Sequence, residues 1–263
     1  MKKILSILFT AYKNYNIYIY DIVWNNMIFI LRIIVIITLY KYIYLNFSKD
    51  DLVSWYSIIQ VGYAMIIAQV VSSSKPRVVD EISNDVKTWK IWVYFLNPIN
   101  YIWFKFLEFF PIFMQNVIIG LCVWFVIGYL MLWTFPISLA WFFAWFLLLV
   151  WSMLIVFFSY TFIGIFAFFT EDVEAIRFLY SKFDMILWWN ILPIPFLPWL
   201  LQTIAYLSPF AYFWYTSWLV FVSFDYYTFI KYFSIQMFWL IITIYWCIWL
   251  FSKASKKLTI NWW

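Results

Sequence analysis

The chain of 263 residues contains no histidine, so the commonest general base and the commonest metal ligand are both missing. Its two cysteines, Cys122 and Cys247, sit inside apolar runs, which points away from a disulfide framework and from a thiolate metal site. Charge is scarce: 11% of residues are Asp, Glu, Lys or Arg, against about a quarter in soluble domains. Only four glycines are present, and no G-x-x-x-x-G-K-[ST] loop, so the chain carries no phosphate-binding loop of its own. The short alternating segments of a membrane β-barrel are missing too.

The remainder is apolar. Two-thirds of the residues are hydrophobic, and several runs reach the roughly 20 residues needed to cross a bilayer as a helix. The expected fold class is an all-α polytopic membrane protein, one transmembrane domain over residues 1–263. Six spans are expected near 22–45, 53–72, 109–132, 137–168, 178–197 and 228–251. Residues 1–17 place Lys2, Lys3, Ser6, Thr10 and Lys13 on one helical side and Ile4, Leu5, Leu8 and Tyr12 on the other. That pattern favours an interfacial amphipathic helix over a cleaved signal. Most lysines and arginines fall on one side of this topology. The expected location is therefore a cell membrane, multi-pass, with both termini cytoplasmic and no role for nucleic acid.

The segment 74–98 breaks the apolar pattern with a run of charges. On helical geometry Val78, Val79, Ile82, Val86, Trp89 and Val93 form one stripe, while Asp80, Glu81, Asn84, Lys87 and Thr88 face away. Periodicity serves two readings equally, a helix resting on the membrane surface and a helix docking a cytoplasmic partner. After it, Asn97-Pro98, Lys105 and Glu108 are expected to break the long run 91–133 into an elbow and a span. Between spans five and six, Pro193, Pro195, Pro198 and Pro209 exclude one straight helix. Short helices re-entering the outer leaflet over 193–224 are expected there.

In order along the chain, an amphipathic start is followed by a polar helix with "YFLNPINYI" after it. Then come "FFTEDVEAIRFLY", "NILPIPFLP…LSPFAYFWYTS" and the basic tail "SKASKKLTINWW". This series resembles the permease subunit of an ABC-2 type exporter over nearly the whole chain. The resemblance implies that 74–98 includes a coupling helix seated on a separate ATP-binding subunit. Asp80, Glu81, Ile82, Ser83, Asp85 and Lys87 would be its docking residues, with Glu171, Asp172 and Glu174 as a second contact. It also implies a second permease, identical or not, and an outer gate at Pro193, Pro195, Pro198 and Pro209. The cargo would be amphipathic, lipid-like or drug-like. No cofactor is expected in this chain, since ATP would be bound by the partner. A non-transporting membrane scaffold and an intramembrane lipid-modifying enzyme are the alternatives.

Other charges read more plainly. Arg32, deep in span one, suits either snorkelling or pairing, or contact with a substrate or membrane lipid. Lys105 and Glu108, three apart, share a helix face and are expected to pair. Thr170 is expected to cap the helix that comes after it, with Glu171, Asp172 and Glu174 in the first turn. Asp225 is placed outside, before span six.

Finally, the chain has 20 Trp and 4 Gly, where average usage predicts roughly 18 Gly. Aromatic belts account for Trp55, Trp133 and Trp199 but suit Trp145 and Trp151 poorly. The resemblance implies glycine or small residues at Trp89, Trp92, Trp188, Trp189, Trp262 and Trp263. A source that reads UGA as glycine would produce this inversion.

Overall fold

The computed structural model describes residues 2–46, 62–63, 66–67, 74–96, 98–132, 139–170, 173–187, 194, 198–222 and 224–260. Among the described residues there are helices and no strands. In chain order they are α1 (Lys2–Ile17), α2 (Ile19–Asn46), α3 (Val78–Lys87), α4 (Ile91–Phe95), α5 (Tyr101–Leu132) and α6 (Leu139–Ile165). They continue as α7 (Ala167–Thr170), α8 (Glu174–Leu187), α9 (Trp199–Leu207), α10 (Ala211–Val222) and α11 (Tyr226–Ile260). Among the described residues four stretches are long and apolar enough to cross a membrane: Ile19–Leu39, Tyr101–Val123, Trp141–Thr170 and Tyr226–Lys256. They mark the chain as a helical membrane protein.

Of the six expected spans, the described residues therefore hold four. The expected span 53–72 lies almost wholly outside them, although Tyr63, Ile66 and Ile67 are described and pack into the core. In the expected span 178–197, the described helix α8 has 14 residues, about 21 Å at 1.5 Å per residue. That is short of a full crossing on its own.

Helix α6 is the axis of the bundle. It is apolar on all sides, and 56% of its spanning window is buried, against 18% for the α2 window. A helix without a polar face suits a protein core or lipid alike, and the burial of α6 places it in the core. Here α11, α10 and α3 pack around it. Trp145, poorly suited to an interface belt, is fully buried on α6 with its ring 5.4 Å from Phe221. Helix α2 and the outer faces of α5 and α11 expose Leu31, Val35, Ile118 and Ile241. Patches of that extent need an apolar environment, which lipid supplies.

Helix ends obey local chemistry. Asn100 starts α5, its Oδ1 accepting the Ile102 N–H at 2.9 Å and its carbonyl the Phe104 N–H at 2.9 Å. Lys105 and Glu108, expected to break the run, instead lie inside this unbroken 32-residue helix. Asp225 Oδ2 accepts from both the N–H and the hydroxyl of Thr228 at 3.1 Å and caps α11. The Thr170 hydroxyl donates back to the Phe166 carbonyl at 3.0 Å, at the end of α7, and the Val173 carbonyl accepts the Arg177 N–H at 2.8 Å in the first turn of α8. Pro198 precedes α9 with φ −54°, and Pro209 stands in the break between α9 and α10. The segment between α8 and α11 is thus divided into short helices, as its prolines imply.

The expected apolar stripe on α3 is shorter than its periodicity. The helix ends at Lys87, and Trp89 comes next but one at φ 60°, its N–H donated to the Val86 carbonyl at 3.2 Å. This left-handed position just past a helix end is where glycine normally sits. The turn rotates the chain beyond it, so Trp89 and Val93 are exposed rather than buried. Trp92 takes ordinary helical backbone in α4, its ring 5.9 Å from Phe95. Trp188, Trp189, Trp262 and Trp263 lie outside the described residues.

Candidate functional site

Helix α3 is where the charge gathers. Val78, Val79 and Ile82 are buried against α6, and the fit depends on Gly164. A Cβ on Gly164 would stand 2.9 Å from Ile82 Cδ1 and 3.3 Å from Val79 Cα, so the two helices touch through a missing side chain. Close approach of this kind is the usual reason for glycine at a membrane-helix contact.

Three polar links fix the same helix sideways. Lys105 on α5 reaches Asp85 at 2.9 Å and Glu81 at 3.5 Å, and it also pairs with Glu108 at 3.1 Å, as their spacing implied. Tyr101 donates its hydroxyl to Asp85 at 2.9 Å, and the Lys105 ammonium lies 5.4 Å from the centre of the Tyr94 ring. On the other flank, Arg177 of α8 pairs with Asp80 at 2.5 Å. Just before α3, Lys75 pairs at 2.7 Å with Asp184, which is fully buried and also accepts from the Tyr160 hydroxyl at 2.8 Å. Burial holds the Lys75 ammonium below its ordinary pKa, and the Asp184 charge pulls in the opposite direction.

Of the residues expected to dock a partner, Asp80, Glu81 and Lys87 are exposed. Ile82, Ser83 and Asp85 are not, because the narrow α3 stripe turns them into the protein. Ile82 meets Gly164 and Asp85 holds Lys105, so these two fasten the helix rather than present it. Glu174 is exposed in the first turn of α8, while Glu171 and Asp172 lie outside the described residues. So do Pro193 and Pro195.

Sequence reasoning missed Lys75, Asp184, Tyr160 and Arg177 as partners, because each pair joins elements that are distant along the chain. It also missed a seam between α1 and α5. Tyr15 donates to Asn116 Oδ1 at 2.9 Å, and the amides of Asn16 and Gln115 bond reciprocally at 3.1 and 2.8 Å. The half-buried side of α1 consequently faces α5 through Ala11, Tyr15 and Asn16, while Leu5 and Tyr12 of its expected apolar side are exposed.

A cavity of about 840 Å³ lies between α1, α2, α3, α5 and α8. Arg32, Lys75, Arg77, Lys105 and Arg177 line it together with Asp80, Glu81 and Glu108. Among the described residues no group of His, Cys, Asp or Glu could hold a metal ion. No protein-family model matches the chain, and no curated protein matches its sequence.

Proposed function

We propose that the chain is the permease subunit of an ATP-driven exporter of the ABC-2 type, coupled through α3 to a separate ATP-binding subunit. One observation carries the reading: a short helix with an exposed acidic face is anchored to three neighbouring helices at once. Gly164 seats it on α6, Lys105 holds it to α5, and Arg177 holds it to α8. A helix that only rested on a membrane surface would need none of these links. A helix that passes a partner's motion to the spans needs all of them, since force travels through packed and paired side chains and not through loose ones. In this reading Asp80, Glu81 and Lys87 offer the contact, and a second copy of the chain or a related permease completes the path. The cargo is amphipathic, both termini face the cytoplasm, and re-entrant helices at 193–224 form the outer gate.

The test is a tagged purification in mild detergent from the native host. A P-loop ATPase recovered in stoichiometric amount supports the reading. Reversal of Asp80 and Glu81 to Lys should then release the ATPase. Arg177→Gln, which breaks only the internal pair with Asp80, should retain it. A chain that is recovered alone from several detergents refutes the exporter reading and leaves the scaffold.

A further inference from the structure

The cavity beside α3 is polar far into helices that are otherwise apolar. On α2 it is lined by Asn25, Asn26 and Arg32, and Arg32 stands about 20 Å along the helix from Ile19 at 1.5 Å per residue. On α5 Lys105, Glu108 and Asn116 fall on one face and reach it together. Charged and amide side chains at such depth face a cavity that holds polar matter, because lipid-facing placement is costly.

The lining carries both signs. Around Lys105 one ammonium serves three carboxylates, those of Glu81, Asp85 and Glu108. The lining also holds four further cations, Arg32, Lys75, Arg77 and Arg177, with Asp184 beside Lys75 and Asp80 beside Arg177. Three of these four are guanidinium groups suited to bidentate phosphate contact. The matching ligand carries a phosphate and an ammonium a few atoms apart. The cavity also opens sideways: Tyr18, Ile28 and Phe178 line it and are exposed on the apolar surface of the bundle. Acyl chains attached to such a headgroup can leave by that route into the bilayer.

We infer that this cavity binds the headgroup of an amine-bearing phospholipid, its phosphate among the arginines and its ammonium beside Glu108. The site stands on this chain's own residues and holds whether or not an ATPase docks on α3.

Binding to the purified full-length chain in detergent is measured by native mass spectrometry. The probes are short-chain phosphatidylethanolamine, short-chain phosphatidylglycerol and free phosphoethanolamine. The expected result is tighter binding of phosphatidylethanolamine than of phosphatidylglycerol. Glu108→Gln should abolish that preference and leave phosphatidylglycerol binding intact. Arg77→Gln, at an exposed position whose side chain makes no cap bond to α3, should weaken both lipids about tenfold, the loss expected for one charge-assisted hydrogen bond. Equal affinity for the two lipids, or no change in the Arg77 variant, overturns the site. Free phosphoethanolamine binding as tightly as the lipid would place the ligand in water and overturn the lipid assignment.

Discussion

Lys105 Nζ lies 2.9 Å from Asp85 Oδ2, joining the second turn of a membrane-crossing helix to the inner face of α3. Both side chains are almost wholly buried, and Glu81 and Glu108 share the same ammonium. Removing one member of a buried pair leaves an uncompensated charge, at about 3–5 kcal/mol. Lys105→Met is expected to lower the melting temperature of the detergent-solubilised chain sharply. Adding Asp85→Asn should recover part of that loss. A single variant as stable as the wild type would mean the cluster is fully hydrated.

Gly164 is the contact between α3 and α6. Gly164→Ala inserts a methyl group where Ile82 Cδ1 is already 2.9 Å from the ideal Cβ position. Overpacking of this kind costs about 1–3 kcal/mol. Thermal unfolding should show the loss, and limited proteolysis should cut near α3 sooner. The compensating change Ile82→Val should restore much of it. Unchanged stability in Gly164→Ala would mean that α3 shifts freely.

Trp89 holds φ 60° at the position after the α3 cap. A left-handed conformation costs an L-residue about 1–2 kcal/mol and costs glycine almost nothing. Trp89→Gly is expected to raise stability by about 1 kcal/mol, whereas Trp89→Ala gains little. If the source reads UGA as glycine, peptide mass spectrometry of natively expressed protein will return Gly at position 89. Tryptophan found at 89, 92, 262 and 263 would end that idea.

Gln236 is fully buried on α11 and joins three elements. Its amide nitrogen, with two hydrogens to donate, lies within hydrogen-bond distance of three acceptors, Ser152 Oγ at 2.9 Å, Thr216 Oγ1 at 2.8 Å and the Tyr212 carbonyl at 3.1 Å. Hydrogen bonds between membrane helices average only about 0.6 kcal/mol, and Ser152 keeps its own bond to the Leu148 carbonyl. Gln236→Leu should therefore destabilise by about 1–2 kcal/mol in denaturant titrations, without loss of the fold. Unfolding of this variant in mild detergent would show that the network specifies how α10 seats on α6.

Much of the site was legible one helix at a time. The Lys105–Glu108 pair is implied by a spacing of three, and the inward set Val78, Val79 and Ile82 by helical periodicity. The end of α3 was legible only through the glycine that the resemblance implies at position 89, because Trp itself does not announce a left-handed residue. Nor did the break expected at Lys105 survive. A lysine looks like an interruption of an apolar run until three carboxylates, two of them from another helix, stand around it.

The sequence by itself determined that the chain is helical and suited to a membrane, since its apolar runs leave the backbone no other way to satisfy its hydrogen bonds in lipid. It also determined which residues are charged and where prolines interrupt. Only the tertiary structure decided which charges meet. Lys75 finds Asp184, Arg177 finds Asp80, and Tyr15 finds Asn116 because α3, α8 and α1 fold back on the spans from far along the chain. A pairing of that kind is fixed by the crossing of helices, and no local spacing encodes it.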